Sequence, residues 1–151
     1  MKYISAEEFL SQPKSIQKVF LNWWQPEFGD LFLDDYSDCD SMINIVGCVP
    51  INKKHFEDHS GDIHYKTELT IPLFSEGQLR QFIEDKTSCI LETNYEGREY
   101  KKIKEPGYCV YLRKGTDEDY IYPFENFEEL GDDLLQAYWQ VACKIAEKEL
   151  N

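Results

Sequence analysis

The sequence predicts an α+β fold in a single domain over residues 1–151, with a largely antiparallel sheet. The chain has 151 residues, which is a common length for one domain. Strand-like segments follow one another in the middle of the chain, and helix-like segments lie at both ends and once between the strands, which is the order typical of α+β folds. A hydrophobic share of 42% and an aromatic share of 15% are sufficient for a packed core.

Two helices are predicted near the N-terminus. Ser5 and Glu8 have the spacing of a capping box, in which two side chains each accept a backbone hydrogen bond at the first turn of a helix. Pro13 suits the first turn of a second helix, and Pro26 ends that helix. The apolar residues that recur at helical spacing on one face of the second helix are Ile16, Val19, Phe20, Trp23 and Trp24.

The middle of the chain is predicted to contain the strands and one central helix. The predicted strands, which are rich in β-branched or aromatic residues or alternate in polarity, cover 30–33, 42–49, 65–74, 89–95, 108–113 and 120–124. Segment 50–62 is polar and has no period, which predicts a loop. Ser75 and Gln78 repeat the capping-box spacing, which predicts the start of the central helix.

A long helix is predicted at the C-terminus. Asn126 and Glu129 have the spacing of a further capping box, and the helical period continues to about Glu149. The residues of its wide apolar face are Leu135, Tyr138, Trp139, Ala142, Ile145 and Ala146. A face of this width predicts burial on more than one side, as in a helix packed across a sheet.

The charge is strongly negative and unevenly distributed. Asp and Glu number 29 against 16 Lys and Arg, a formal net charge of −13. Segment 27–40 holds six acids and no base, segment 115–143 holds eight acids and no base, and segment 98–114 is locally basic. Binding to nucleic acid draws on Lys and Arg at the phosphates, so no nucleic-acid partner is expected. No apolar run is long enough to cross a membrane and the N-terminus does not resemble a signal peptide, so a cytoplasmic protein without a membrane partner is expected.

The acidic segments also carry aromatic residues, and aromatic side chains are enriched at protein interfaces. We therefore expect a non-enzymatic interaction or regulatory protein that binds a basic protein through an acidic, aromatic-containing face, in a complex that weakens as salt rises. The candidate partner-binding residues are Asp30, Asp34, Asp35, Tyr36, Asp38, Asp117, Glu118, Asp119 and Tyr120. The alternative is strand alternation alone, with the aromatic residues in the core and the acids in water.

A metal-assisted hydrolase or nuclease is the alternative function. His55 and His59 lie four residues apart, so in a helix they would share one face and could hold a metal ion, with His64 and carboxylates of the acidic turn close by. The zincin pattern requires Glu directly after the first histidine, and Phe56 occupies that position. Because this ligand pattern is incomplete and the sequence lacks a glycine-rich phosphate-binding motif, a non-enzymatic protein with no cofactor and no metal is favoured. Homo-oligomerisation through an exposed edge strand is a third possibility.

Two segments of the sequence carry a resemblance to known proteins. They are IPLFSEGQLRQFIE at 71–84 and LGDDLLQAYWQVA at 130–142. Together they resemble a group of small uncharacterised acidic proteins of Gram-positive bacteria and their prophages. The resemblance implies a bacterial or phage protein of the cytoplasm. That group has no assigned reaction, so the resemblance transfers no catalytic residue.

Overall fold

A computed structural model of the chain describes residues 2–34, 42–51, 54–97, 105–114 and 123–151. Contacts between Cα atoms divide the chain into two compact units, which are Tyr3–Phe74 and the combination of Met1–Lys2 with Ser75–Asn151. Both units combine helices with antiparallel strands, and the predicted α+β class is confirmed. The extent of a single domain over 1–151 stays a prediction.

The Tyr3–Phe74 unit begins with the two helices that the sequence predicts. Helix α1 (Ala6–Leu10) starts at a capping box, in which the Ser5 hydroxyl accepts from the Glu8 N–H and the Glu8 carboxylate accepts from the Ser5 N–H. Helix α2 (Lys14–Trp23) follows directly after Pro13. The capping box satisfies backbone donors that have no partner within the helix, which is why so short a helix forms.

The described residues of this unit also form five short strands: β1 (Leu31–Leu33), β2 (Asn44–Cys48), β3 (Phe56–Asp58), β4 (Ile63–His64) and β5 (Ile71–Pro72). They form one sheet in the order β4-β3-β2-β1-β5, and every neighbouring pair is antiparallel. The rings of Phe9, Phe20 and Trp23 pack on Phe74 with centroids 6.2, 5.5 and 6.1 Å away. Burial of large aromatic side chains is strongly stabilising, so we expect this cluster to be the main source of stability of the unit.

Two predictions for this unit are wrong in part. The polar segment 50–62 was expected to be a loop, yet it contains β3. A strand of three residues is too short to produce a period, and its burial pattern places Asp58 inside with Phe56. The strand expected over 65–74 is reduced to β5, because the Thr67–Thr70 segment turns on hydrogen bonds of the Thr70 hydroxyl instead of pairing with a strand.

The second unit has longer elements: α3 (Glu76–Thr87), β6 (Ile90–Glu96), β7 (Gly107–Arg113), β8 (Pro123–Phe127) and α4 (Leu134–Glu149). The strands form an antiparallel sheet in the order β6-β7-β8. Helix α4 packs on α3 and on β7, and its buried residues include all six of the predicted apolar face. The central helix and the long C-terminal helix are therefore confirmed, and α3 begins at the predicted Ser75–Gln78 capping box.

The predicted start of the C-terminal helix is wrong. Asn126 lies in β8, where it is paired with Tyr111, and Glu129 has a positive φ of 56°. Pairing with β7 satisfies the backbone hydrogen-bonding groups of this segment. No helix therefore starts at Asn126, although the spacing of Asn126 and Glu129 is that of a capping box. Helix α4 begins after Asp133, whose carboxylate accepts from the Gln136 N–H at 3.1 Å.

Candidate functional site

A cavity of about 390 Å³ lies in the Tyr3–Phe74 unit. It is lined by segment 25–28 after α2, by segments 49–51 and 54–56 between β2 and β3, and by Lys66. Pockets that hold small molecules commonly measure about 300–1,000 Å³ and combine apolar walls with a few polar groups. The cavity therefore has the size of a small-molecule site.

The first wall of the cavity is held by Asp30. The Oδ2 atom of Asp30 accepts from the Trp24 indole N–H at 2.9 Å and from the Glu27 backbone N–H at 3.0 Å. The Asp30 N–H in turn donates to the Glu27 carbonyl at 3.0 Å. Burial raises the pKa of Asp30 above its ordinary value, although the hydrogen bonds from Glu27 and Trp24 act in the opposite direction. These bonds fix segment 25–28 on the buried Trp24 ring.

The second wall depends on a close approach of β2 and β3. A Cβ atom at Gly47 would lie 2.8 Å from the Asp58 carbonyl oxygen, so only glycine fits there without movement of the backbone. The register of the two strands shifts between Val46 and Cys48, on either side of this glycine. The approach places the buried Phe56 ring, at the start of β3, in the cavity wall.

The side chain of Lys66 closes the cavity beside the end of α2. Its Nζ atom donates to the carbonyl of Leu21 at 3.0 Å and to the carbonyl of Trp24 at 2.8 Å. A cation at these carbonyls is stabilised by the negative end of the helix dipole. Burial lowers the pKa of Lys66. The ammonium group is therefore fixed in position at the cavity edge.

The charge of the lining is opposite to that of the unit around it. Residues 3–74 include 12 acidic and 5 basic side chains, a formal charge of −7. The lining has two cations, Lys54 and Lys66, against one acid, Glu27. Electrostatic recognition at this point therefore favours an anion.

Most of the other lining residues are apolar, and Gln25 adds a polar side chain. Phe56 forms a buried part of the wall, and Pro26 and Pro50 add apolar surface. Phe28, with 83% of its surface exposed, and the fully exposed Ile51 lie at the rim. Large apolar side chains that are left in water beside a cavity are typical of a surface that becomes covered when a ligand binds. The lining suits a molecule that joins an apolar body to an anionic group.

His64 lies beside this cavity and is held by two carboxylates. Its Nδ1 atom is 3.1 Å from Asp34 Oδ2, its Nε2 atom is 3.1 Å from Asp58 Oδ2, and its side chain is 11% exposed. We call these three side chains the His64 clamp. Both ring nitrogens carry hydrogen only in the imidazolium, so the charged ring is the form that donates to both carboxylates.

The pKa values of the clamp agree with this geometry. Burial lowers the pKa of His64, but the hydrogen bonds and charges of Asp58 and Asp34 together outweigh burial and raise it above its ordinary value. The hydrogen bond from His64 lowers the pKa of Asp58. Asp58 Oδ1 also accepts from the N–H groups of Ser60 and Asp62, at 2.8 and 3.0 Å. The buried carboxylate thus has donors on both oxygens.

The histidines proposed as a metal alternative have separate surroundings. The His55 ring contacts Tyr65 with a centroid distance of 6.1 Å, His59 is exposed, and His64 is engaged by its two carboxylates. In the ranges given above, no group of three or more His, Cys, Asp or Glu side chains is arranged to hold a metal ion. A ring nitrogen of His64 becomes available to a substrate or metal only when a carboxylate is displaced.

The acidic face predicted from the sequence falls mostly outside the described residues. The positions outside are Asp35, Tyr36, Asp38, Asp117, Glu118, Asp119 and Tyr120. The other two carboxylates, Asp30 and Asp34, bind groups of the protein itself. Binding of a basic protein stays a prediction.

The cavity was missed because its residues come from distant and unremarkable segments. Lys54 and Lys66 are two of the five basic residues in an acidic stretch, and this scarcity is the signal that could have drawn attention to them. The pairing of His64 with Asp34 and Asp58 depends on strand register, which the sequence does not display. The spacing of these residues in the sequence matches no known binding or catalytic motif.

Comparison of the chain with protein-family models, with curated proteins and with solved structures finds no match. The resemblance to small proteins of Gram-positive bacteria and prophages stays a prediction. Within the part of the chain that the structure describes, no helix has the length and apolar content that a membrane span requires.

Proposed function

We propose that the protein is a non-enzymatic binding protein that takes a small organic anion with an apolar body in the cavity lined by 25–28, 49–51, 54–56 and Lys66. The observation that carries the proposal is the convergence of two cations, Lys54 and Lys66, on a cavity that also has apolar walls, within an acidic unit. The proposal keeps the non-enzymatic class expected from the sequence. The proposed ligand is a small anion, whereas the partner expected from the sequence is a basic protein.

Two features of the lining define the ligand class. Covering the exposed apolar surface of Phe28 and Ile51 favours binding by roughly 25 cal/mol per Å² of apolar area removed from water. Lys54 and Lys66 are the cations of the lining, and hydrogen bonds from an ammonium group to a carboxylate are about twice as strong as neutral ones. Because the two cations outnumber the one acid of the lining, Glu27, a flat carboxylate is favoured over an amine of the same shape.

Three probes of one shape test the charge preference: 2-naphthoate, 2-naphthylmethanol and 2-naphthylmethylamine. Isothermal titration calorimetry at neutral pH measures the dissociation constant of each. We expect the carboxylate to bind at least about tenfold more tightly than the amine, which corresponds to 1.4 kcal/mol. Equal or tighter binding of the amine would overturn the proposal.

A pair of lysine variants tests the location. Lys54→Gln removes an exposed cation of the lining, and Lys18→Gln removes an exposed cation elsewhere in the same unit. We expect Lys54→Gln to weaken 2-naphthoate about five- to tenfold, in line with the loss of one charge-assisted contact, and Lys18→Gln to change it less than about twofold. Equal effects of the two variants would show that the anion responds to overall charge and not to this cavity.

A further inference from the structure

We infer that the proton on His64 controls one wall of the cavity: the imidazolium held by Asp34 and Asp58 fixes the Phe56 ring, and loss of the proton loosens it. The effect on ligand affinity rests on the proposed function. The effect on the wall does not, and it is measured without ligand.

The Phe56 ring connects the His64 clamp to the cavity. It stacks on the His64 ring with a centroid distance of 5.8 Å and an interplanar angle of 25°, and it lines the cavity. It also meets Phe32 at 4.9 Å and Trp24 at 6.1 Å. The Trp24 indole N–H donates to Asp30, which holds segment 25–28 in place. Through Trp24, Phe56 therefore also contacts the residues that position this segment.

Strand β3 adds a second connection. Phe56 and Asp58 are the two ends of this three-residue strand, and both are buried. Phe56 is the register partner of His64 on β4. A change in the bond between His64 and Asp58 or Asp34 therefore acts directly on the strand that positions the cavity wall.

The number of N–H groups on the His64 ring determines which of its two hydrogen bonds is lost when the proton leaves. A neutral imidazole has one N–H and can donate to one carboxylate only. Asp58 is buried, whereas the Asp34 side chain is 51% exposed and can exchange His64 for water. The neutral ring is therefore expected to keep Asp58 and release Asp34, which separates the end of β1 from the β3–β4 hairpin.

The charged groups that act on His64 set the pH range. In the described residues these are Asp34 after β1 and Asp58 on β3, and the remaining ring neighbours are Phe32 and Phe56. The pKa of His64 is raised from 6.5, so its contribution to stability is complete below 6.5 and is lost as pH rises through the raised value. The pKa of Asp58 is lowered from 3.8, so its contribution is present above 3.8 and is lost as pH falls through the lowered value.

The first experiment is an NMR titration of the free protein from about pH 5.5 to about pH 8.5, the range in which histidine charge changes. The ring nitrogens of His64 report its protonation, and the ring signals of Phe56 and the exchange protection of the Asp58 amide report the wall. We expect all three to change with one midpoint above 6.5. Asp34→Asn should lower that midpoint, and His64→Gln should abolish the change at Phe56.

A matched control separates the clamp from other histidines. His59→Gln removes an exposed histidine of the same hairpin and should leave the Phe56 transition in place. A titrating His64 with no change at Phe56 or at the Asp58 amide would overturn the inference. A Phe56 transition that survives His64→Gln would overturn it equally.

The second experiment measures 2-naphthoate affinity at about pH 5.5 and about pH 8.5 in the unaltered protein and in His64→Gln, so that the pH dependence caused by His64 is the difference between the two. We expect at least about threefold weaker binding at the higher pH in the unaltered protein, and a smaller pH dependence in His64→Gln. An affinity that is pH-independent, or that has the same pH dependence in both proteins, would overturn the inference. If 2-naphthoate binds at neither pH, the proposed function fails, and the titration of the free protein still decides whether the proton controls the wall.

Discussion

The two units of the chain are stabilised in different ways. In the Tyr3–Phe74 unit the strands have two to five residues, and the connections are held by side chains that bind backbone groups, with Asp30, Asp58 and Lys66 as the main examples. In the Ser75–Asn151 unit β6 and β7 pair over seven residues, and α4 buries a broad apolar face. The candidate site lies in the first unit, where loops are positioned by individual polar contacts.

This difference explains where a ligand site can form. A long helix that packs on a long strand pair leaves little irregular backbone. In the second unit, α4 contacts β6 directly through Tyr138 and Thr93, whose hydroxyl oxygens lie 2.8 Å apart. Short strands leave long connections that can surround a cavity, but each connection then needs its own anchor. We therefore expect substitution of a single anchor residue to change the shape of the cavity in the Tyr3–Phe74 unit.

Removal of the central aromatic ring of the first unit is expected to have the largest effect. Phe74→Ala deletes the ring on which Phe9, Phe20 and Trp23 pack, and should reduce the free energy of unfolding by about 3–5 kcal/mol. Hydrogen exchange at the amides of β1 and β2 measures the loss. A reduction below about 1 kcal/mol would contradict an aromatic core as the main source of stability.

A pair of glycine variants tests the close approach of β2 and β3. Gly47→Ala places a Cβ atom 2.8 Å from the Asp58 carbonyl, and should cost about 1–3 kcal/mol and weaken 2-naphthoate. Gly77→Ala, in the first turn of α3 with open space around it, should stabilise by up to about 1 kcal/mol. Urea denaturation compares the two variants, and equal stability of both would show that β2 and β3 are farther apart.

Two substitutions at Asp30 test the first wall. Asp30→Ala leaves the buried indole N–H of Trp24 without its acceptor, and should cost about 1–3 kcal/mol. Asp30→Asn keeps an acceptor oxygen and removes a charge that burial disfavours, so it should cost less than about 0.5 kcal/mol. Thermal unfolding at neutral pH measures both. Equal losses for Asn and Ala would mean that the charge, and not the acceptor, holds segment 25–28.

A cap variant in the second unit is expected to have the smallest effect. Ser75→Ala removes the hydroxyl that accepts from the Gln78 N–H, and should cost about 1 kcal/mol at the amides of α3. Ser15→Ala, at an exposed position of α2, is the control and should be close to neutral. Hydrogen exchange distinguishes them, and identical behaviour would rule out the capping box as a stabilising feature.

The sequence predicts the parts of this molecule that depend on neighbouring residues. The Ser5–Glu8 and Ser75–Gln78 capping boxes are confirmed because their partners lie three residues apart. The same spacing fails at Asn126–Glu129, since pairing with β7 competes for that backbone. Local patterns therefore locate helices well, except where a strand partner distant in sequence takes the same residues.

The candidate site could not be predicted in the same way. The His64 clamp joins residues 30 and 6 positions apart through the register of short strands. The cavity joins the end of α2 to Lys66 through a contact 42 residues apart in sequence. Neither set of contacts produces a periodic pattern in the sequence, because each contact depends on how β1, β3 and β4 are arranged in the sheet.

The central claim is that a small organic anion with an apolar body binds in the cavity of the Tyr3–Phe74 unit. The most direct test is to map 2-naphthoate on the protein by changes in backbone amide NMR signals during a titration. We expect saturable changes that are concentrated at 25–28, 49–51, 54–56 and Lys66. Changes confined to the Ser75–Asn151 unit, or no change at millimolar 2-naphthoate, would contradict the claim.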